Sequence, residues 1–578
     1  MEIKPKKISK RKHIKQQNIL HLLFSLIVIV LVSYVGSFLF ARIDLTAENR
    51  YTLTSYTKDL LENLDDEVYV KVYLESEDLP AGFKRMQKAI KELLDEFRVY
   101  ADNNVEYEFI NAFENPDKKI QRRIYDELTR KGLKPVDLKR KSKEGKRSQQ
   151  IIFPCAVVIY KGQELALNLL KNNVGVNAEN NWNNSIQSLE YEFINGIKKL
   201  STKTKPKVAF IEGHGELSEY QVMDITRTLT EYYEVVRGKI GGKYGILDNF
   251  EAIIIAKPRH KFEESDKFVI DQYIMKGGKV LWLIDPINAN MDSLYRSSRS
   301  MIALANSLNL DDQLFKYGVR INPTLIQDLQ CSPIGLTASV GGQPKIEYFP
   351  WYYFPVIVTQ NNHHITKYMN AIRTEFVSTI DTVGASSEIE KTILLQTSKL
   401  SRLMPIPIVI SLDLIKEQPD RLQYNKPPQP IAVLIEGKFE SVFKNRAIKK
   451  QMPEKEIFIE KSIATRMIVI ADGDIIKNEV AHTGEPYPLG FDVHTKQTYK
   501  GNSEFILNAV NYLCDDEELM KIRLREIKLR LLDKTEINQS RIKWQLINTV
   551  VPVFLIVLFG FGINFLRKRK YTRVKGKM

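Results

Sequence analysis

A histidine flanked by two glutamates is the part of this sequence whose residue types could support chemistry. Glu212, His214 and Glu216 alternate with two glycines in the stretch EGHGE, which directly follows the apolar run VAFI. Such a set could be a metal cluster, an acid and base pair, or the remnant of a hydrolase site. It could equally be a structural turn, because glycine favours tight connections. The choice depends on the elements that position these side chains.

The segments around this motif predict a parallel sheet with helices on both faces. Apolar, nearly continuous strands alternate with helices, which is typical of a sheet that is covered on both sides. The first helix begins at Ser218-x-x-Gln221, a capping-box pattern, and a second, over 265–276, ends at a pair of glycines. The predicted strands are 208–212, 233–240, 251–258 and 279–286. The predicted fold class is therefore α/β, with a mainly parallel, flavodoxin- or amidotransferase-like central domain.

Parallel sheets of this kind bind ligands outside the carboxyl ends of their strands. If the strand order is flavodoxin-like, the third strand lies between the first and the fourth, and the residues that follow these strands surround one crevice. We therefore expect the crevice to bind a ligand or to contact a neighbouring domain. The candidate crevice residues are Glu212, His214, Glu216, Lys257, Arg259 and Asp285.

The residues around the crevice argue against catalysis. None of the three cysteines follows a strand at the start of a helix, and the chain has no GxSxG motif. A zinc site needs three or four ligands, and the turn lacks a third credible ligand. A P-loop that binds ATP needs the motif GxxxxGK[ST], which is absent from the sequence. We predict no catalytic residue, no cofactor, no metal and no direct ATP binding. A membrane-tethered ligand sensor or hydrolase that uses the crevice around His214 remains the alternative.

Both ends of the chain carry an apolar stretch that is long enough to cross a membrane. The first covers 19–40 and the second 544–566. Seven Lys or Arg residues precede the first stretch and seven follow the second, so both termini are expected in the cytoplasm and 41–543 in the periplasm of a bacterial inner membrane. The first stretch could instead be a cleaved signal peptide, but it is longer than the apolar part of such signals.

The basic composition of the chain follows from these two ends. The formal net charge is +15, and tails of +6 and +7 leave about +2 for the remainder. The charge therefore reflects membrane topology and gives no reason to expect a nucleic-acid partner.

The segment after the first apolar stretch predicts a smaller α/β domain. Strands at 68–75 and 105–113 alternate with two helices, and a hairpin over 151–170 turns at Lys161-Gly162. This order is similar to a thioredoxin-like layer, although the CxxC motif of redox enzymes is missing. The basic stretch 139–150 is interpreted as a solvated loop.

The sequence thus predicts seven segments. They are a cytoplasmic basic tail (1–18), a transmembrane helix (19–40), a thioredoxin-like α/β domain (41–202), an auxiliary α/β domain (203–514), a charged stalk helix (515–543), a transmembrane helix (544–566) and a second cytoplasmic basic tail (567–578).

Nearly the whole chain resembles the auxiliary or substrate-binding proteins of gliding-motility-associated ABC transporters, the GldG family. The stretches that carry the likeness are RIDLTAENRYTLT, VAFIEGHGE, YIMKGGKVLWLIDP, IAVLIEGKFESVFKNR, the C-terminal PLGFDVHTKQTYKGNSEFILNAVNYLCDDEELMKIRLREIKLRLLDK and the final RKRKY. The resemblance implies an auxiliary subunit of an ABC-2-like export complex, with a polytopic permease and a separate ATP-binding-cassette subunit as partners. Gliding motility or cell-surface assembly is the implied process, and no catalytic residue comes with the family.

Overall fold

The computed structural model describes residues 9–38, 52–76, 79–141, 147–171, 178–202, 204–296, 299–340, 343–359, 363–367, 369–384, 388–446, 457–481, 483–514, 522 and 540–572. The chain forms two compact units, Met1–Arg525 and Glu526–Met578. The first unit contains both α/β parts that the sequence predicts.

The N-terminal α/β part is built on a four-stranded sheet. Its strands lie in the order β2-β1-β5-β6, with β2 parallel to β1 and the other neighbours antiparallel. Helices on both faces bury its apolar side chains in two clusters. The elements up to this point are α1 (Ser9–Phe38), α2 (Ser55–Glu62), β1 (Val68–Val72), α3 (Ala81–Tyr100), β2 (Val105–Phe109), α4 (Lys118–Arg130), β3 (Val136–Lys141), β4 (Arg147–Ile152), β5 (Cys155–Tyr160), β6 (Gln163–Asn168), α5 (Ala178–Gln187) and α6 (Leu189–Ser201).

Two expectations for this part have different outcomes. The predicted hairpin is confirmed, because β5 and β6 pair across Lys161 and Gly162, both of which have positive φ. The interpretation of 139–150 as a loop is wrong for most of its length, because β3 and β4 pair as an antiparallel ribbon on either side of 142–146. Backbone hydrogen bonding between two strands can tolerate a run of basic residues that hydrophobic periodicity would not identify as strand.

The central part is organised around a seven-stranded sheet. Its first elements are β7 (Lys207–Glu212), a 3₁₀ turn (Glu219–Val222), α7 (Met223–Thr230), β8 (Glu234–Lys239), β9 (Ala252–Ala256), α8 (Glu264–Met275) and β10 (Lys279–Leu283). Strand β9 lies between β7 and β10, and all four strands are parallel, so the predicted flavodoxin-like order of these strands is confirmed. The predicted capping box is also present at Ser218 and Gln221.

Three small sheets are inserted before the large sheet is completed. Their elements are β11 (Ile287–Asn288), α9 (Met291–Arg296), β12 (Ser300–Ala305), α10 (Asp311–Tyr317), β13 (Val319–Asp328), β14 (Cys331–Val340), β15 (Gln343–Ile357), β16 (Ile372–Arg373), β17 (Ser378–Thr382), β18 (Ile389–Gln396), β19 (Ser401–Pro405) and β20 (Ile408–Ser411). Strands β11, β12 and β20 form one small sheet, β13, β17 and β19 the second, and β14, β15 and β16 the third. Only β18 of this segment joins the large sheet, at its edge.

The large sheet is completed by β21 (Pro430–Gly437) and β22 (Thr465–Ile470), and α11 (Gly501–Leu513) covers it. The full order is β18-β21-β22-β10-β9-β7-β8, in which β22 is parallel to β10 while β21 and β18 run antiparallel. Successive residues of the strands alternate between two large apolar clusters, one on each face. Burial on both faces explains why these strands are almost wholly apolar in sequence.

Two helices carry exposed apolar side chains, and their apolar stretches differ in length. In α12 (Arg541–Thr572), the stretch Arg541–Arg569 is long and apolar enough to cross a membrane, and none of it is buried. In α1 the apolar stretch Ile19–Tyr34 is shorter. The predicted first span ends at residue 40, two residues beyond the described part of α1, and most of the predicted stalk 515–543 lies outside the described residues.

Candidate functional site

The site lies at the edge of the large sheet where its parallel strands end. Because β9, β10 and β22 run in the same direction, the residues that follow them meet at this edge. Lys257 follows β9, Asp285 follows β10, and Asp472 and Asp474 follow β22. The neighbouring strand β7 ends beside them with the EGHGE turn.

His214 is held on both ring nitrogens by carboxylates. Its Nδ1 lies 3.0 Å from Oε1 of Glu216 and its Nε2 lies 3.0 Å from Oδ2 of Asp266. The ring stacks on Phe262 with centroids 3.7 Å apart, and the side chain is 5% exposed. Both nitrogens can donate to carboxylates only in the imidazolium form. His214 is therefore a buried cation that ties the turn to helix α8.

The rest of the turn is structural as well. Gly215 has φ of +74°, and a Cβ there would lie 2.8 Å from Cδ2 of His260. The carbonyl of His214 accepts hydrogen bonds from the backbone N–H groups of Arg259 and His260, each at 2.8 Å. Glu212 accepts a hydrogen bond of 2.8 Å from Nε of Arg237 on β8. The turn is thus hydrogen-bonded to the loop that follows β9. Its charged side chains, Glu212, His214 and Glu216, all have partners within the protein.

The centre of the site is an ion cluster around Lys257. Its Nζ donates to Oδ2 of Asp285 at 2.9 Å and to Oδ2 of Asp474. The Lys257 and Asp285 side chains are 10% and 9% exposed, and that of Asp474 is 5% exposed. Gly473 allows this close approach, because a Cβ there would lie 2.7 Å from Cβ of Lys257. Burial alone would lower the pKa of Lys257, but the two carboxylates outweigh burial and raise it.

The acidic side chains of this cluster are close enough to be metal ligands. Asp285, Asp472 and Asp474 each place a carboxylate oxygen within 4.8 Å of the others. Lys257 already lies against two of them, and both oxygens of Asp472 accept backbone N–H groups. A metal ion would have to displace the lysine and those hydrogen bonds. The set fits an internal ion cluster better than a metal centre.

The inserted sheets supply the opposite wall of the site. Together with the sheet edge they enclose a cavity of about 760 Å³. On this wall Arg373 makes an ion pair with Glu375, and its guanidinium lies 4.4 Å from the centroid of Phe354. His494 and Tyr295 also line the cavity. The cavity is thus formed by residues that are up to 273 positions apart, since its lining extends from Gln221 to His494.

The structure divides the six predicted crevice residues into two groups. Lys257, Arg259 and Asp285 line the cavity, whereas Glu212, His214 and Glu216 are absent from its lining. The structure thus brings three of the six residues to this cavity and places the other three in the turn beside it. The cavity lies beyond β9, β10 and β22 and not beyond β7. The side chain of His214 in the turn after β7 contacts Asp266 on α8, and Asp474, which follows β22, lines the cavity on the other side.

Two groups of lining residues were missed by the sequence analysis. Asp474 had a detectable signal, because the acidic stretch ADGD follows the apolar run MIVI in the same way that Asp285 follows its strand. Arg373 and Glu375 had no comparable signal. Their placement depends on how the inserted sheets fold back on the large sheet.

Removing the buried His214 cation is expected to destabilise the protein in a pH-dependent manner. Burial alone would lower the pKa of His214, but Glu216 and Asp266 together raise it above its usual range. A raised folded-state pKa gives stability that is complete below about pH 6.5 and is lost as the pH rises through the folded-state value. His214→Gln should cost about 2 kcal/mol at pH 6 and less at pH 9 in urea unfolding.

His363 offers a matched control for this measurement. Burial, with a smaller effect of His364, lowers the pKa of His363 to about 4, so its ring stays neutral between pH 6 and 9. His363→Gln should therefore show the opposite pH dependence, because the unfolded state protonates His363 below about pH 6.5 while the folded state does not, so the substitution should cost less at pH 6 than at pH 9. A cost of His214→Gln that is equal at pH 6 and 9 would show that His214 is not held as a cation.

Comparison with known protein families identifies the central part of the chain. The family model described as "ABC-type uncharacterized transport system" matches residues 205–509, just over half of the chain. A domain family of unknown function matches residues 47–159. An uncharacterized protein of Borreliella burgdorferi is 23% identical over 583 residues, which cover 96% of this chain and 99% of that protein.

Solved structures give only distant similarities. The mmIFT52 N-terminal domain is 13% identical, with a TM-score of 0.30 over 54% of this chain and 97% of that domain. The exo-β-1,4-mannosidase Op5Man5 from Opitutaceae bacterium strain TAV5 is 11% identical, with a TM-score of 0.22 over 81% of this chain and 55% of the mannosidase. At such TM-scores neither similarity supports a statement about function.

Proposed function

The chain belongs to the family of ABC-type uncharacterized transport systems, and we propose that it is a non-catalytic auxiliary subunit of an ABC-2-like export complex. The family match over 205–509 is the observation that carries this proposal. The apolar stretch Arg541–Arg569 supports an attachment of this subunit to a membrane. Export or cell-surface assembly is the proposed process, and gliding motility is one setting in which such a complex could act.

The absence of a free acid, base or nucleophile in the EGHGE turn favours the non-catalytic role. Both ring nitrogens of His214 are engaged by carboxylates, and Glu212 is paired with Arg237. Cys155 and Cys331 are poor nucleophiles, because burial raises the pKa of each thiol to about 12. A hydrolase built on His214 would need this histidine to exchange protons, which its two ion pairs oppose.

We propose that the chain crosses a bacterial inner membrane twice. The basic residues outside 19–40 and 544–566 favour two cytoplasmic ends and a periplasmic position for 41–543. Within that part, the boundary between an N-terminal domain (41–202) and the auxiliary domain (203–514) falls before β7. The order β2-β1-β5-β6 supports a thioredoxin-like N-terminal domain, and a charged stalk over 515–543 is proposed to connect the auxiliary domain to the second span.

The proposed partners are a polytopic permease and a separate ATP-binding-cassette subunit. Purification of the tagged full chain from native membranes in mild detergent should recover both partners in a constant ratio, as identified by mass spectrometry. A tagged fragment that contains only residues 541–578 is the control and should recover neither. If the full chain recovers no permease and no ATPase, or if the fragment recovers the same proteins, the proposed function is wrong.

A further inference from the structure

The cavity at the sheet edge has the position and size of a small-molecule site. Ligand sites in proteins commonly have volumes of roughly 300 to 1,000 Å³ and lie outside the carboxyl ends of parallel strands. The cavity here measures about 760 Å³ and lies beyond the ends of β9, β10 and β22. Its lining is mainly polar and charged, so the charges decide which ligand it fits.

Most carboxylates in the lining already have a cationic partner within the protein. Asp285 and Asp474 share Lys257, and Glu375 is paired with Arg373. Glu479 follows the same pattern, because it lies 3.8 Å from Nζ of Lys477, whereas Asp292 is exposed and has no cationic partner in the described part of the chain. A cationic ligand would compete with these internal partners.

Not every cationic side chain in the lining has an anionic partner. Arg259 is exposed, lines the cavity, and makes no side-chain hydrogen bond or ion pair with any residue that the structure describes. His260 is exposed beside it, and His494 lines the same cavity. In the described part of the chain neither ring has a hydrogen-bond partner. The available groups are therefore a fixed positive charge and two imidazoles that can donate to an anion.

We propose that this crevice binds a small anion that carries a carboxylate or a phosphate group. Arg259 forms the principal ion pair, His260 and His494 donate hydrogen bonds, and the Lys257 cluster forms the polar floor. Arg259 is held at the mouth by its backbone N–H, which donates to the carbonyl of His214. The EGHGE turn thus positions the binding residue without contacting the ligand. The proposal concerns the chain by itself and does not depend on transport partners.

Titration of the purified full chain in detergent tests this proposal. The probes are inorganic phosphate, succinate, neutral glycerol and a short poly-glutamate peptide, all at one ionic strength set with sodium chloride. Isothermal titration and thermal unfolding should show that phosphate or succinate binds and stabilises the protein while glycerol does not. Arg259→Ala should weaken this binding at least tenfold, since charge-assisted hydrogen bonds to one guanidinium are lost.

Arg227→Ala is the matched control. Arg227 is exposed on α7, outside the cavity lining, so its loss removes the same charge without touching the crevice. Binding should be unchanged in this variant. The proposal fails if neither anion binds beyond the effect of chloride, if both substitutions weaken binding equally, or if only the peptide binds, which would indicate an acidic protein segment. These outcomes are independent of whether a permease or an ATPase is recovered with the chain.

Discussion

Lys257→Met is expected to destabilise the protein by about 3 to 5 kcal/mol, because it leaves two buried carboxylates without their cation. The lysine donates to both Asp285 and Asp474, and all three side chains are at most 10% exposed. Methionine keeps most of the side-chain volume, so the loss reflects charge more than packing. Urea unfolding of the purified chain, followed by circular dichroism, measures the change.

Lys276→Met is the matched control. Lys276 makes an ion pair of 2.6 Å with Asp248, but the two side chains are 27% and 40% exposed. Partly exposed pairs contribute about 1 kcal/mol or less, so this variant should be only slightly destabilised. Adding Asp285→Asn and Asp474→Asn to Lys257→Met should restore part of the stability by removing the unpaired charges. Equal losses for the two lysine variants would show that the cluster is solvated.

Removal of both proposed membrane anchors is expected to release the chain almost completely from the membrane, whereas removal of either one is not. An apolar helix of about 20 residues is sufficient to cross the hydrocarbon layer. Three variants test this: deletion of 541–578, replacement of 1–40 by a cleavable secretion signal, and both changes together. The measurement is the fraction that stays in the membrane pellet after alkaline carbonate extraction.

The single changes distinguish the two interpretations of the first apolar stretch. If 19–40 is an uncleaved anchor, deletion of 541–578 leaves the chain in the pellet. If 19–40 is a cleaved signal peptide, the same deletion alone releases it, and the two-span topology is wrong. Deletion of the terminal residues 573–578 only is the control for the basic tail and should leave the fraction unchanged.

The position of the inserted sheets gives the auxiliary domain a wall that a plain parallel sheet lacks. Arg373 and Glu375 come from β16 and the residue pair after it, and they face the floor formed by Lys257. Movement of the inserted sheets would change the cavity directly.

The local sequence by itself determined the first half of the large sheet and one hairpin of the N-terminal sheet. Apolar runs at β7 to β10, the Ser218 to Gln221 capping box and the Lys161-Gly162 hairpin were all predicted correctly, because hydrophobic periodicity and turn chemistry act over a few residues. The apolar stretch near the C-terminus was equally visible. The ribbon of β3 and β4 was missed, because its stability comes from strand pairing that a basic sequence does not reveal.

Only the tertiary structure decided which charged groups lie together. His214 contacts Asp266, which lies 52 residues away on α8. Its ring is engaged in this contact and does not line the cavity. Asp474 reaches Lys257 from 217 residues away, because β22 pairs with β10 although the inserted sheets separate the two strands along the chain. Sequence spacing reports neighbours along one element, whereas parallel strands bring together residues from distant segments at a common edge. The residue types in EGHGE therefore indicated a possible site, and the strand order placed that site one strand further along the sheet.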